Sequence, residues 1–305
     1  MCCRSALSIF KDKGIAPVVA ADDSRIYLSA AVFCSILGAG LLSLGFFKTE
    51  ERVRQSSKAP TVMESFRYLF GNKPLMLVAL SSLLAFPRTL QVGITVYIAD
   101  YMLGGKEWVM ILSFPGMLGM VIASAFVPKL INKIGLAKLY VWANLVSMIP
   151  LVLLYFVSPQ NTVLMIAMLV IAGIPGGVLQ ITPMLLVADC VDYAEWKNGE
   201  RSEGISFSVS TFISKASSAF QGVTIGVLLS AFGFMKPLAA GEILPQSAKT
   251  LNGMWAMNSL FPALGSLICV IPMAFYMLKG KRLDQMRGEL AVRRQNSAII
   301  LEENI

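Results

Sequence analysis

Seven apolar segments dominate the sequence, and each is long enough to cross a lipid bilayer. A spanning helix requires about 20 mostly apolar residues, and no other feature of the chain restricts its fold as strongly. The segments lie at about 26–47, 75–97, 109–127, 139–157, 162–187, 205–234 and 253–278. The sequence therefore predicts an all-α membrane protein with about seven transmembrane helices.

Composition supports the membrane class and argues against several functions. Charged residues make up 14% of the chain, against about 25% in ordinary soluble domains. The chain contains no histidine, which removes the usual Cys/His zinc sites and the commonest general base. The five cysteines show no paired spacing, and the sequence lacks nucleophile elbows and glycine-rich phosphate loops. We expect no enzyme, no metal site and no cofactor.

Basic residues are concentrated at one set of segment ends. Seventeen lysines and arginines lie in one set of connections and in the stretch after Leu278, against three at the opposite ends. Because such residues favour the cytoplasmic side, we expect a multi-pass inner (plasma) membrane protein with a cytoplasmic C-terminus. The net charge of +8 is then mostly a topology signal, and no nucleic-acid partner is expected.

A polar, basic linker separates the first apolar segment from the following six. Six spans after a cytoplasmic linker are typical of one half of a major facilitator transporter, whose halves are six-helix bundles. On this interpretation the chain is a partial major facilitator fold that lacks the first five helices. The predicted parts are an extracytoplasmic segment (1–25), the last helix of the N-terminal half (26–47), a cytoplasmic central loop (48–74), a C-terminal six-helix bundle (75–278) and a cytoplasmic tail (279–305).

The segment that starts near Ile205 carries small and polar residues on one helical face. Lys215 lies eleven residues beyond Gly204, about 16 Å along a helix and near the middle of a bilayer core of roughly 30 Å. An ionisable group at that depth usually faces a polar cavity or a partner, so we expect this face to line a transport pathway. The alternative is close helix packing with Lys215 reaching to the interface. Steps of three and four relate the residues of the face: Gly204, Ser208, Thr211, Lys215, Ser218, Gly222 and Gly226.

Two further polar residues lie within apolar segments. The stretch from Gly173 to Gly177 contains Pro175 and is expected to interrupt its helix at membrane depth, with Gln180 as the nearest polar side chain. Arg88 is a second intramembrane charge, either in the pathway or as a structural arginine paired with a backbone carbonyl. The stretch from Pro115 to Gly119 is expected to serve helix packing.

A dense group of charges lies between the fifth and sixth apolar segments, with the length and position of a cytoplasmic loop. Its acids follow the C-terminal end of a helix, where the helix dipole disfavours anions, so cations must offset them. The candidates are Lys197, Arg201 and the loop that bears Lys133 and Lys138. A spacing of three places the acids on one side if the helix continues. We predict an ion-pair latch that closes the cytoplasmic face, with a solvated loop as the alternative. The latch residues are Asp189, Asp192, Tyr193, Glu195, Lys197 and Arg201.

The stretch from Ala188 to Lys215 closely resembles the glycoside–pentoside–hexuronide:cation symporters, the melibiose permease family. Weaker family-like features are the stretch from Phe47 to Arg52, Arg88, and the stretch from Gln246 to Met254. The matching residues are Asp189, Asp192, Tyr193, Glu195, Lys197, Arg201, Glu203, Ser208, Val209, Thr211 and Lys215.

The resemblance implies sugar entry coupled to Na⁺, H⁺ or Li⁺ by alternating access. Lys215 and Thr211 align with positions implicated in the family's cation site and its coupling. Gln180 falls where melibiose permease has a sugar-stacking tryptophan, so that contact is not expected in this chain. The family's cation-binding carboxylates and most of its sugar contacts belong to the first five helices, which this sequence does not include.

The residues and the resemblance together predict a cation-coupled symporter of glycosides, pentosides or hexuronides. Its expected partners are a sugar, a monovalent cation (Na⁺ or H⁺) in place of a cofactor, the lipid bilayer and the missing N-terminal half. One alternative is a carrier of lysolipids or other amphiphiles from a related branch. Another is a membrane fragment that transports nothing.

Overall fold

The computed structural model describes residues 23–48, 69–105, 107–199, 203–236 and 244–302. The chain divides into two compact units, one ending at Arg54 and the other starting at Gln55. In the first unit the described residues form a single helix, α1 (Asp23–Lys48). Its apolar part, Ala31–Phe47, is shorter than the spans of the second unit.

The second unit contains six helical segments that are long and apolar enough to cross a membrane. They coincide with the last six segments predicted from the sequence, and the described residues include no strand. The prediction of an all-α membrane protein with a six-span bundle is therefore confirmed. The spans are Lys73–Leu103, Trp108–Ile134, Leu136–Phe156, Thr162–Asn198, Glu203–Ala231 and Ala248–Ala274.

The first and last spans are broken into shorter pieces, whereas the middle four are single helices. Proline causes the breaks, because its ring removes a backbone donor and clashes with the preceding turn. Pro87 lies in a tight turn, Phe86–Thr89, that also carries Arg88. The pieces of the first span are α2 (Lys73–Leu84) and α3 (Leu90–Ile98), and those of the last are α8 (Ala248–Asn258), α9 (Leu260–Ile268) and α10 (Val270–Ala274). The middle spans are α4 (Trp108–Ile134), α5 (Leu136–Phe156), α6 (Thr162–Asn198) and α7 (Glu203–Ala231).

Helix α6 runs through Pro175 without interruption, so the predicted break in the stretch from Gly173 to Gly177 is wrong. The glycines serve close packing: a methyl group added to Gly119 of α4 would overlap the backbone of Gly173. Helix α4 thus packs directly against the segment around Pro175. In membrane helices, neighbouring helices and small local adjustments can satisfy the backbone groups that a proline leaves without a partner. The packing role predicted for the stretch from Pro115 to Gly119 is confirmed.

Buried polar groups tie three spans together inside the bundle. The Ser81 hydroxyl donates to the Cys269 carbonyl oxygen at 2.6 Å and lies 3.0 Å from the Tyr140 hydroxyl. Since a serine hydroxyl has one proton, Tyr140 must donate to Ser81. The Cys269 thiol donates to Asn144 Oδ1 at 3.1 Å, and the Asn144 amide donates to the Tyr140 carbonyl at 2.9 Å. These satisfied bonds fix α2, α5 and the start of α10 relative to one another.

The stretch after Leu278, predicted as a cytoplasmic tail, forms a helix, α11 (Lys281–Glu302). Gly280 has a φ of 54°, a value that glycine adopts at little cost, and it turns the chain between α10 and α11. Met286 and Leu290 of α11 are buried with Tyr193 of α6 in one apolar cluster. Helix α11 is therefore packed against the bundle.

The contact between α4 and α6 yields a stability prediction. Replacing Gly119 with alanine should lower the free energy of unfolding by about 1–3 kcal/mol, the usual cost of overpacking. Gly116 is the matched control, because the space around it is open and alanine is a better helix former than glycine by about 1 kcal/mol. Unfolding of the detergent-solubilised variants, followed by circular dichroism, measures both. Equal effects at the two positions would show that the helices do not pack this closely.

Candidate functional site

Helix α7 presents three different surfaces. One surface is buried against the bundle and includes Ser217 and Ile225. A second is exposed and apolar, with Phe212, Val223 and Val227, as expected for lipid contact. The third, which we name the α7 stripe, contains the seven small and polar residues predicted to share a face, and all seven are exposed. They are Gly204, Ser208, Thr211, Lys215, Ser218, Gly222 and Gly226.

The hydroxyl groups of the α7 stripe are oriented by their own helix. Ser208 donates to the Gly204 carbonyl at 2.7 Å, Thr211 to that of Phe207 at 3.0 Å, and Ser218 to that of Ser214 at 3.1 Å. Each hydroxyl proton is thereby used, whereas the oxygen keeps lone pairs that can accept further bonds. The hydroxyl oxygens of the stripe are therefore available as acceptors.

Lys215 differs from its neighbours because its ammonium group can only donate. Its side chain is exposed, and it forms no hydrogen bond or ion pair with any residue that the structure describes. An isolated ammonium near the bilayer centre is costly in contact with lipid. The stripe is thus suited to face a water-filled cavity or protein, and its role in a pathway remains a prediction.

The other two predicted pathway residues occupy different surroundings. Gln180 is exposed on α6. Arg88 is half-buried near Tyr140 and Cys269, and it donates no side-chain hydrogen bond to a carbonyl in the described part of the chain. Its span packs beside α7, where the rings of Phe86 and Phe220 lie 5.9 Å apart. The span that carries Arg88 therefore lies next to α7. Arg88 and Lys215 form no hydrogen bond with each other in the described structure.

The charged group predicted as a loop lies on the last turns of α6, so that prediction is wrong. The helix continues to Asn198 and ends at Gly199, which has a φ of 76° and donates to the Glu195 carbonyl at 2.8 Å. Glycine in a left-handed conformation commonly terminates a helix. The helix therefore ends at Gly199, and not where the charged residues begin. Asp189, Asp192 and Glu195 therefore share one side of a helix, as their spacing of three predicts when the helix continues.

The acids pair with arginines of α11. Arg287 Nη2 lies 2.7 Å from Asp189 Oδ1, and Arg294 Nη2 lies 2.9 Å from Asp192 Oδ1. Arg294 Nε donates to Glu195 Oε1 at 2.9 Å. The hydrogen bond to Glu195, followed by that to Asp192, raises the pKa of Arg294 above its ordinary value. These arginines were not among the cations that the sequence suggested.

The predicted cations of the latch lie elsewhere. Lys197 is exposed and donates to the Gly71 carbonyl oxygen at 3.3 Å. Arg201 lies outside the described residues. Tyr193 is buried on the α6 side that meets α11, and its ring lies 5.9 Å from that of Trp196. A latch role for this group remains a prediction.

Further contacts join the end of α6 to α11. Trp196 Nε1 donates to Glu289 Oε2 at 2.6 Å, and Arg293 donates to the Trp196 carbonyl at 3.0 Å. Hydrogen bonds from Trp196 and Gln285 hold the pKa of Glu289 below its ordinary value, so this carboxylate stays ionised at neutral pH. The sequence signal for this helix was the apolar pair Met286 and Leu290, spaced four apart between basic residues.

Apolar burial contributes more to this contact than the exposed ion pairs do. Exposed ion pairs contribute about 0–1 kcal/mol, and the side chains of Arg287 and Arg294 are 52% and 47% exposed. Full burial of an apolar side chain stabilises by about 1.5–3 kcal/mol, and both Met286 and Leu290 are buried. Asp189 is a special case, because its side chain is only 7% exposed. Loss of its partner would leave a nearly buried charge, which costs about 3–5 kcal/mol.

Among the described residues, no group of three or more cysteine, aspartate and glutamate side chains is arranged to hold a metal ion. The site thus consists of a hydroxyl and ammonium surface on α7 and an ionic contact at the end of α6.

A family model for MFS/sugar transport proteins matches residues 6–280. The chain belongs to this MFS sugar-transport family. Together with the relatives below, this result confirms the resemblance to sugar symporters inferred from the stretch between Ala188 and Lys215. The family consists of transporters, and the six apolar spans indicate a multi-pass membrane protein.

Three relatives within this family show what the chain is similar to. It is 26% identical over 275 residues to the "Putative 2,3-dihydroxypropane-1-sulfonate exporter" of Salmonella typhimurium strain LT2, covering 88% of this chain and 58% of the relative. It is 27% identical over 283 residues to the "Putative sulfoquinovose importer" of the same organism, covering 91% and 58%. The "Glucuronide carrier protein homolog" of Escherichia coli strain K12 is 24% identical over 273 residues, covering 88% and 58%. The chain thus spans less than two thirds of the length of these relatives.

Proposed function

We propose that the chain is part of a cation-coupled sugar symporter of the inner (plasma) membrane that works by alternating access. The observation that carries the proposal is the α7 stripe, an exposed polar surface in the middle of a membrane span. It bears the Lys215 ammonium group, which has no hydrogen-bond or ion-pair partner in the described part of the chain. Alternating access in this superfamily uses two bundles around a site near the bilayer midplane. Lys215 lies at about that depth.

The chemistry of the stripe fits a polyhydroxylated ligand. Ser208, Thr211 and Ser218 offer oxygen lone pairs, because their protons are donated within the helix. Sugar hydroxyls can donate to such acceptors, and a ligand that brings several donors can bond to several positions of the stripe at once. Lys215 is the side chain of the stripe that supplies N–H donors.

The distribution of charge favours an acidic sugar over a neutral one. Lys215 and Arg88 are the charges away from the span ends in the described bundle, and both are cationic. The acids of the described spans lie near their ends, as Asp100, Asp189 and Glu203 do. A sulfonate or carboxylate on the sugar would neutralise one of these cations. The relatives named for a sulfonate, sulfoquinovose and a glucuronide support this preference.

The same charge argues against a coupling cation bound by the stripe alone. A sodium ion beside the Lys215 ammonium would be repelled, unless a carboxylate lay close to both. The resemblance to the melibiose permease family implies such carboxylates on five further helices. We therefore propose that Na⁺ or H⁺ coupling requires a partner half, and that Lys215 and Thr211 face its cation site.

The orientation of the bundle is the first testable part of the proposal. The excess of basic residues at one set of span ends predicts that α11 is cytoplasmic and that Lys236 faces outward. A cysteine placed at Arg287 should not react with a membrane-impermeant maleimide in intact cells, whereas one at Lys236 should react. The reverse pattern of labelling would contradict the orientation.

The substrate class is tested by equilibrium binding of two matched sugars. For the purified chain in lipid nanodiscs, we expect radiolabelled methyl glucuronide to bind at least about tenfold more tightly than methyl glucoside, or about 1.4 kcal/mol. Lys215→Gln should remove the preference because it removes the countercharge, and Lys215→Arg should retain most of it.

Lys236→Gln provides a control with the same loss of charge at an exposed position near the end of the α7 span. Its binding should match that of the unchanged chain. Equal binding of the two sugars would contradict the proposed preference for an acidic sugar, but it would not contradict the proposal that the chain binds sugars. Binding of neither sugar would show that this bundle alone forms no sugar site, and the two sugars would then be compared in the presence of the partner half that the resemblance implies.

A further inference from the structure

The end of α6 and the helix α11 form an extended interface that we name the α6–α11 clamp. Arg287 meets Asp189, and Arg294 meets Glu195. The order of these two pairs along the chain indicates that the helices run in the same direction where they meet. The clamp consists of Asp189, Asp192, Glu195 and Trp196 on α6 and Met286, Arg287, Glu289, Leu290, Arg293 and Arg294 on α11.

The clamp has an apolar interior beneath its ion pairs. Met286 is 2% exposed and Leu290 is 3% exposed, and they belong to the same buried cluster as Cys190 and Tyr193 of α6. Asp189 lies at the margin of this interior, with Arg287 as its hydrogen-bonding partner. The ionic and apolar contacts thus hold the same helix in one position.

Opening the clamp would require two unfavourable changes at once. Met286 and Leu290 would become exposed to water, and exposure of apolar surface is unfavourable. Asp189 would lose its arginine while it remained largely buried, and buried charges need a partner. An acid that is held in this way is not free to bind a different element on each transport cycle.

We infer that the α6–α11 clamp stays closed and that α11 moves with the six-span bundle as a fixed part of it. The acids at the end of α6 then anchor the C-terminal helix, in place of the latch across the cytoplasmic face that the sequence suggested. Lys197 lies beyond the clamp and is exposed. Its ammonium group donates to the Gly71 carbonyl oxygen at 3.3 Å, outside the clamp.

Hydrogen–deuterium exchange of the full chain in nanodiscs, read by mass spectrometry, tests this inference. Peptides covering residues 285–294 should exchange slowly in a single population. The rate should change less than about twofold in ~1 M NaCl, where exposed charges are screened within about 3 Å. Salt resistance is expected because the apolar interior does not depend on charge.

Variants separate the contributions of the two kinds of contact. Arg287→Glu places a negative charge beside Asp189 and should speed exchange of α11 about tenfold or more, the scale expected when a buried pair is broken. Arg282→Glu is the matched control on the same helix, because Arg282 is exposed and forms no hydrogen bond or ion pair with the described residues. Arg294→Gln removes the exposed ion pairs to Asp192 and Glu195 and should speed exchange of α11 much less, by about fivefold at most.

Several results would overturn the inference. Full exchange of α11 in salt, or two populations of α11 peptides in the unchanged chain, would indicate a helix that opens and closes. Equal effects of Arg287→Glu and Arg282→Glu would show that the ion pair does not hold the helix. An effect of Arg294→Gln as large as that of Arg287→Glu would show that the exposed ion pairs hold the helix, and not Asp189 and the apolar interior.

Discussion

The cost of placing a polar group in hydrocarbon controls both the fold and the site of this protein. Lipid offers no hydrogen-bond partners, so the backbone of each span bonds within its own helix. The same constraint applies to side chains, and the serine and threonine hydroxyls of α7 donate to their own helix. Lys215 cannot be satisfied in this way, since it has no partner among the described residues. The α7 stripe therefore requires protein or trapped water opposite it.

The six spans are held to the bundle to different degrees. Glycine contacts between α4 and α6 bring those two helices close together, and 39% of the α6 span is buried. In α7, as in α4, only 17% of an 18-residue window is buried in the described bundle, and α7 also carries the polar stripe. A weakly packed helix with a polar face is well placed to contact a second bundle, and this fits the proposal of alternating access.

Local patterns allowed the spans and the α7 stripe to be predicted, because both depend on length and helical period. Contacts between distant residues were not predictable in the same way. Arg287 and Asp189 are separated by 98 positions, and no local pattern indicates that they meet. The acidic end of α6 was predicted as a loop because charge density is high there, whereas Gly199 determines where the helix ends. The expected break at Pro175 failed because a neighbouring helix supports the backbone.

Water access along α7 tests most directly whether the stripe faces an aqueous cavity. Single cysteines would be placed at Thr211 on the stripe and at Phe212 on the apolar surface, in a chain whose native cysteines are replaced by alanine. With a small, charged methanethiosulfonate reagent, the account predicts rapid reaction at 211 and little reaction at 212, because the reagent enters water but not lipid. Reaction at 212 with none at 211, or equal reactivity at the two positions, would contradict an aqueous pathway along the α7 stripe.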